Sequence, residues 1–328
     1  MTFSKKTLEI DCVAVLERLG PRIREVVGGE LKRKGAVVGL SGGIDSTVTA
    51  ALMVEALGRE RVLGLFLPDR DSSPESLRLG ELLASHLGIE ALLEDVGPSL
   101  ESLGCYRRRD EAIRRVFPEF GPGYRQKIAL HGNILDKDRL NFFEIVIESP
   151  AGEVKSKRLP VPDYLQVVAA SNMKQRVRTL MEYYHAERLN YVVAGTPNRL
   201  EYDQGFFVKG GDGLADVKPI AHLYKSQVFA LARHLGLPAE IIERPPTTDT
   251  YSMEQSQEEF FFALPYDLMD LMLYAHNEGV DPAEAAAAAG LTEEQARRVY
   301  RDIEAKRRTT RILHLPALLL EEVPQVGH

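Results

Sequence analysis

The reading of this chain turns on Ala36-Val37-Val38-Gly39-Leu40 followed at once by Ser41-Gly42-Gly43-Ile44-Asp45-Ser46-Thr47. The first five residues form a continuous apolar run, as expected of a strand buried on both faces of a parallel sheet. Behind the loop, Val48, Leu52, Val54 and Leu57 mark a helix that stops near Gly58. Two adjacent glycines between strand and helix permit a left-handed backbone and let a ligand approach with no Cβ in its way. Their amides, with those of the first helical turn, form an anion nest, and Ser41, Ser46 and Thr47 add hydroxyl groups. Asp45 would repel phosphates unless a divalent cation lay between, and a carboxylate with phosphate oxygens is the usual Mg²⁺ environment. The Gly-Lys-Ser/Thr ending of a Walker loop is absent, and so is Gly-x-Gly-x-x-Gly. A tight turn with Asp45 as a helix cap would account for the glycines, but not for strand, carboxylate and second serine together.

Outward from this loop the periods alternate. An apolar run over 62–67 ends at Pro68, a helix over 74–87 stops at Gly88, and 89–96 reads as a third strand. The pattern returns with a helix over 163–188, the strand Tyr191-Val192-Val193-Ala194-Gly195, and a helix over 224–235 closed by Gly236 and Pro238. This alternation predicts an α/β fold with a doubly wound parallel sheet. The first 34 residues read as a helix interrupted by Gly20-Pro21. Over 104–162 the pattern breaks, and 142–148 with 154–159 flank Ser149-Pro150-Ala151-Gly152 as a β-hairpin. The organisation expected is one domain over 1–328, with an insertion at 104–162 and a C-terminal helical segment and tail over 276–328. Helices over 282–289 and 292–308 lie in that last segment, and the tail from 318 reads as frayed.

With 328 residues, 44% hydrophobic and 27% charged, the chain has the composition of an ordinary globular protein. A formal charge of −7 argues against a general nucleic-acid binder, although the two C-terminal helices could pass for a helix-turn-helix. Cys12 and Cys105 cannot build a disulfide framework, which points to a reducing, cytoplasmic setting. No secretory signal is evident, and no window of 18 residues lacks charge, so no membrane partner is expected.

A second constellation stands at Gly195-Thr196-Pro197-Asn198-Arg199-Leu200-Glu201, Gly205-Phe206-Phe207-Val208-Lys209, Gly211-Asp212-Gly213, Asp216 and Lys225. Gly195-Thr196 ends a strand, where open α/β sheets bind ligands. Glu201 could serve as a second Mg²⁺ ligand, and Lys209 and Lys225 could neutralise phosphates. Phe206 and Phe207 read as core or cavity wall. Arg176 and Arg178, two apart on a helix, point to different faces, so at most one turns toward a site.

The Ser-Gly-Gly-x-Asp-Ser loop resembles the pyrophosphate loop of the ATP pyrophosphatase superfamily, whose members cleave ATP between its α and β phosphates. With the second constellation it resembles NAD synthetase, the family that amidates nicotinic acid adenine dinucleotide (deamido-NAD). The resemblance runs over about 37–93 and 172–308. It implies ATP as co-substrate, held by Ser41, Gly42, Gly43, Ser46, Thr47, Thr196, Lys225 and Thr247. It implies Mg²⁺ on Asp45 and Glu201, and the acid dinucleotide on Arg176, Lys209, Asp216 and Lys306, with Asp45, Glu201 and Lys209 in catalytic roles. It also implies a homodimer. The sequence departs from the family pattern at Ala305 (often His), Glu258-Glu259 (usually Asp-Glu), Ala263 (usually Gly) and Pro197-Asn198 (commonly Asp-His). Only 40 residues precede the loop, and neither cysteine lies in an amidase domain, so free ammonia, or a separate glutaminase subunit, is the expected nitrogen source. Two other readings stand beside this one: a related ligase adenylating a different acid, and an ATP-binding sensor without turnover.

Overall fold

Val37 and Val38 are both wholly buried although their side chains leave opposite faces of one strand, β1 (Ala36–Gly39), because helices cover both sides. The computed structural model describes residues 3–130, 135, 143–245, 251–253, 261–262, 264–321 and 323–324. β1 pairs in parallel with β2 (Val62–Phe66) on one side, and β3 (Glu90–Leu93) pairs in parallel with β2. Three antiparallel strands form a separate small sheet: β4 (Arg125–Leu130), β5 (Phe143–Glu148) and β6 (Val154–Arg158). β7 (Val192–Val193) returns to the first sheet on the other side of β1, giving the order β3-β2-β1-β7. A single parallel bridge between Ala194 and Val217 extends that edge.

The helices follow the expected alternation: α1 (Cys12–Arg24), α2 (Ile44–Leu57), α3 (Pro74–Leu87), α4 (Gly97–Ser102), α5 (Cys105–Arg114) and the long α6 (Val161–Leu189). After β7 come α7 (Arg199–Gln204), α8 (Lys225–His234), α9 (Ala239–Glu243), α10 (Tyr266–Asn277), α11 (Pro282–Ala289) and α12 (Glu293–His314). On one face of the parallel sheet, Val48 and Leu52 of α2, Leu79 and Leu83 of α3 and Val228 and Leu231 of α8 share a core with Val38. On the other face, Ala186 of α6 packs against Val37, Leu63, Leu65 and Val193. The connections from β1 run toward β3, whereas β7 lies on the opposite side of β1. The loops after β1 and β7 therefore diverge, which is where a doubly wound sheet opens a crevice. Among the described residues, no helix is long and apolar enough to cross a membrane.

The doubly wound α/β expectation holds, and the departures have local causes. The N-terminal helix is not continuous. A 3₁₀ turn over Lys5–Leu8 precedes α1, whose start is fixed by Asp11 accepting the amides of Val13 and Ala14, and a π turn over Glu25–Glu30 comes after it. Pro21 lies inside α1 rather than ending it. The stretch 104–162 carries three strands rather than a lone hairpin. The extra strand, β4, pairs along its whole length with β5. α12 runs past residue 308 to His314, and the Thr309 and Thr310 hydroxyls donate back to the Ala305 and Lys306 carbonyls.

β2 shows how closely this sheet is packed. A Cβ at Gly64 would lie 2.6 Å from Leu40 Cδ1 and 3.3 Å from the Ala91 Cβ. Gly64→Val should therefore overpack the sheet and lower stability by roughly 1–3 kcal/mol. Urea unfolding followed by circular dichroism checks this, and an unchanged midpoint would contradict it.

Candidate functional site

The loop after β1 is folded back on itself. Gly42 has φ +72°, and a Cβ there would meet the Ser76 carbonyl oxygen at 2.6 Å and the Leu79 Cβ at 3.0 Å, so the turn admits only glycine. Gly43 N-caps α2. The Ser46 and Thr47 hydroxyls both donate to the Gly43 carbonyl, at 3.0 and 2.9 Å, while the Ser41 amide donates to Ser46 Oγ at 3.3 Å. The Gly43 amide donates to Ser41 Oγ at 3.3 Å, and the loop lines a cavity of about 590 Å³ at the divergence of the β1 and β7 loops. Ser41, Gly42, Gly43, Asp45, Ser46, Thr196, Glu201 and Lys225 line that cavity together, as the sequence motifs anticipate. Thr47 does not: it is fully buried, with its hydroxyl turned to the Gly43 carbonyl.

At one end of the cavity three charged side chains meet. Lys225, the first residue of α8 and only 1% exposed, donates to Asp45 Oδ2. Asn198 Nδ2 donates to Asp45 Oδ1 at 3.1 Å. Asn198 also caps α7: its Oδ1 accepts the amides of Leu200 and Glu201, while Glu201 Oε2 accepts the Asn198 amide at 3.1 Å. This reciprocal cap fixes Glu201 where the short helix begins. Burial, and after it the charge of Asp45, push the Glu201 carboxyl up to about 8, with Lys225 opposing. Burial alone would lower the Lys225 ammonium, but Asp45 and Glu201 outweigh it and hold its pKa above the usual value. Asp270 of α10 accepts the amides of Lys225 and Ser226 at 3.1 and 2.7 Å, which anchors the start of α8.

The side walls come from α6 and two loops. Arg178 faces the cavity; its Nε donates to the Leu67 carbonyl at 2.9 Å. Glu182, one helical turn on, lies beside Gly39, and burial followed by the charge of Asp212 raises its carboxyl to about 8. Phe206 and Phe207 form wall.

The four residues expected at the acid dinucleotide stand outside this cavity. Arg176 is exposed on α6, and its Nε donates to the Lys209 carbonyl at 3.2 Å. Lys209 Nζ donates to the carbonyls of Ile312 and Leu315, at 2.9 and 2.7 Å, closing the end of α12. Asp216 accepts from the Val193 amide at 2.8 Å and from the Tyr183 hydroxyl at 3.2 Å. Lys306 pairs with Asp302 at 2.7 Å and lies 4.8 Å from the centre of the Phe261 ring, itself a cavity wall. Thr247, Glu258-Glu259 and Ala263 lie outside the described residues. Sequence reasoning missed Asn198 as a partner of Asp45, and Asp270. The one signal for Asp270 is an acid inside the apolar run Leu268-Met269-Asp270-Leu271-Met272. Among the described residues, no three His, Cys, Asp or Glu side chains form a ready metal cage. Asp45 and Glu201 nevertheless offer hard oxygen donors beside the glycine loop, although burial raises the Glu201 carboxyl.

A model of the NAD synthase family matches residues 15–115 and 130–310. The NH(3)-dependent NAD(+) synthetase of Mesorhizobium japonicum (strain LMG 29417 / CECT 9101 / MAFF 303099) is 56% identical over 316 residues, covering 96% of this chain and 99% of its own. That of Rhizobium meliloti (strain 1021) is 55% identical over 326 residues, covering 99% and 97%. Among solved structures, the NH3-dependent NAD synthetase from Campylobacter jejuni subsp. jejuni superposes with a TM-score of 0.61 over 95% of this chain and 100% of that one, at 20% identity, a likeness of fold. A glutamine-dependent NAD+ synthetase from Acinetobacter baumannii gives a TM-score of 0.52 at 18% identity, over 95% of this chain and 47% of that one. Matched by the family model over most of its length, and by such relatives nearly end to end, the chain belongs to the NAD synthase family.

Proposed function

We infer that the chain catalyses the ATP-dependent amidation of nicotinic acid adenine dinucleotide to NAD with ammonia, through an acyl adenylate, releasing AMP and pyrophosphate. The observation that carries this reading is the meeting of Asp45, Glu201 and Lys225 beneath a backbone anion nest, in a chain 56% identical to an NH(3)-dependent NAD(+) synthetase. Oxide is a hopeless leaving group from a carboxylate, whereas AMP leaves readily, so the acid is first joined to the α-phosphorus of ATP. Nucleophile and electrophile both carry negative charge, and the protein's task is positioning and charge neutralisation. The amides of the loop from Ser41 to Ser46 hold phosphate oxygens, and Lys225 adds a buried positive charge. Asp45 and Glu201 would hold Mg²⁺, which when bound supplies further neutralisation of the phosphates.

Arg176, Lys209 and Asp216 belong to the acid dinucleotide's side of the reaction. They stand near the outer face of α6, where Leu180 and Tyr184 are 65% and 57% exposed. A second copy packed on that face would bury the two apolar side chains and complete the dinucleotide site, so the active species is a homodimer. Free ammonia is the nitrogen donor; the alternative, a separate glutaminase subunit, predicts that glutamine replaces ammonium once that subunit is co-purified from its own cells.

Incubation with ATP, Mg²⁺, ammonium and the acid dinucleotide should yield NAD by mass detection, with glutamine unable to replace ammonium. No NAD under these conditions would refute the reading. Asp45→Ala should lower kcat by about a hundredfold or more, the equivalent of ~3 kcal/mol of barrier, with an unchanged circular dichroism spectrum. Near-wild-type turnover would remove Asp45 from the mechanism.

The acid pair also sets a pH dependence. Glu201 and Glu182 keep their protons to about 8 in the folded chain, against 4.5 when unperturbed. The unfolded chain ionises first, so their contribution to the stability of the ligand-free protein is fully present below 4.5 and is lost as pH rises toward about 8. Tm should fall between about pH 6 and about pH 8, and Glu182→Gln should flatten the profile. Identical profiles for variant and wild type would show that Glu182 ionises normally.

A further inference from the structure

We propose that the stretch 104–162 braces the ATP cavity from outside, with Tyr106 and Arg109 positioning one wall and β4 positioning another. The proposal rests on the assignment of the cavity to ATP. Among the described residues, none within 104–162 lines the cavity, so the influence of those residues on the nucleotide passes through others that do.

The first wall is the segment after β2, where Leu67, Pro68, Ser72 and Ser73 line the cavity. It has no regular structure to hold it. A buried ionic network holds it instead. Asp69, whose side chain is 0% exposed, accepts from Lys174 at 3.1 Å and from Arg178 at 2.6 Å. Asp71 accepts from Lys174 at 2.7 Å and from Arg109 at 2.5 Å. The Tyr106 hydroxyl accepts the Arg70 amide at 3.2 Å and donates to Asp69 at 3.4 Å, and the Arg70 guanidinium lies 3.8 Å from the centre of the Tyr106 ring. Lys174 and Arg178 come from α6, Tyr106 and Arg109 from α5. Buried ions of this kind lend little net stability, but each must keep its partner, so the backbone that carries them is confined to one geometry.

The second wall is Tyr251, which lines the cavity and is buried in the core of the small sheet with Ile128, Ile145 and Val167. Its neighbours join the outer edge of β4: the Met253 amide donates to the Gln126 carbonyl at 3.2 Å, and the Gln126 amide donates to Ser252 Oγ at 2.9 Å. These two hydrogen bonds tie a bend at 251–253 to β4. Both contacts belong to one packed body, because Ala112 and Ile113 of α5 share that core with Ile128 and Tyr251. The two walls are thereby held in register with each other.

The test uses Tyr106→Phe and Ser252→Ala, each of which removes one hydroxyl and keeps the fold's packing, with Ser156→Ala on the exposed strand β6 as reference. ATP affinity is measured by calorimetry on the full chain, and KM and kcat by NAD formation. The brace predicts an ATP Kd and KM raised about fivefold in each of the first two, with kcat at saturating ATP little changed. Unchanged Kd and KM in both, whatever the Tm, would overturn the brace alone and leave the stretch as scaffold. Gly42→Ala tests the underlying assignment. If it binds ATP as tightly as the wild type, the cavity is not the nucleotide site, and the brace falls with it.

Discussion

Two carboxylates and one ammonium, drawn out of water to the same place, govern this molecule. Lys225 pairs with Asp45, and burial, with the charge of Asp45 after it, raises the Glu201 carboxyl to about 8. The same cavity is lined by the glycine loop at the start of α2, the kind of loop that binds anions. The surrounding structure exists largely to keep these three groups together. Asn198 ties Asp45 to the cap of α7, Asp270 pins the start of α8, and the strand order places the loops that carry them on either side of one crevice.

Much of this was legible in the sequence because local chemistry and chain order agree there. The run 36–40 can only be a strand covered on both faces, and the glycine pair behind it can only serve a phosphate loop or a turn. Glu201, Thr196 and Lys225 were legible through motif spacing, and the structure brings them to the same cavity. Other features depend on tertiary placement. That one of Arg176 and Arg178 turns to the cavity is a matter of helical geometry, but that it is Arg178 depends on how α6 lies against β1. Thr47 reads as a ligand hydroxyl, yet as the fourth residue of α2 it is within reach of the Gly43 carbonyl and turns there. Asn198 departs from the commoner family residue, and nothing in its neighbours reveals the carboxylate it meets 153 positions away.

The N-terminal helix and the small sheet show where periodicity alone misleads. Val13, Leu16, Leu19 and Ile23 predict a helix and are right about α1, but say nothing about the π turn at its end. β4 was hidden because Arg125-Gln126-Lys127 opens it with polar residues, on an alternation whose buried side includes the uncharged Gln126. Its significance appears only in three dimensions, where α5, β4 and Tyr251 share one core.

Asp216 has a consequence for the outer margin of the parallel sheet. β7 is the last strand there, and the Val193 N–H points away from β1, whose bonds are taken by the amides of Val192 and Ala194. The Asp216 carboxylate accepts that N–H, and the amides of Asp216 and Val217 take the Val193 carbonyl. A short, chemically quenched margin offers no template to a stray chain, so the same aspartate guards against edge-to-edge aggregation. Replacing it would leave that border exposed, and light scattering would detect the resulting association.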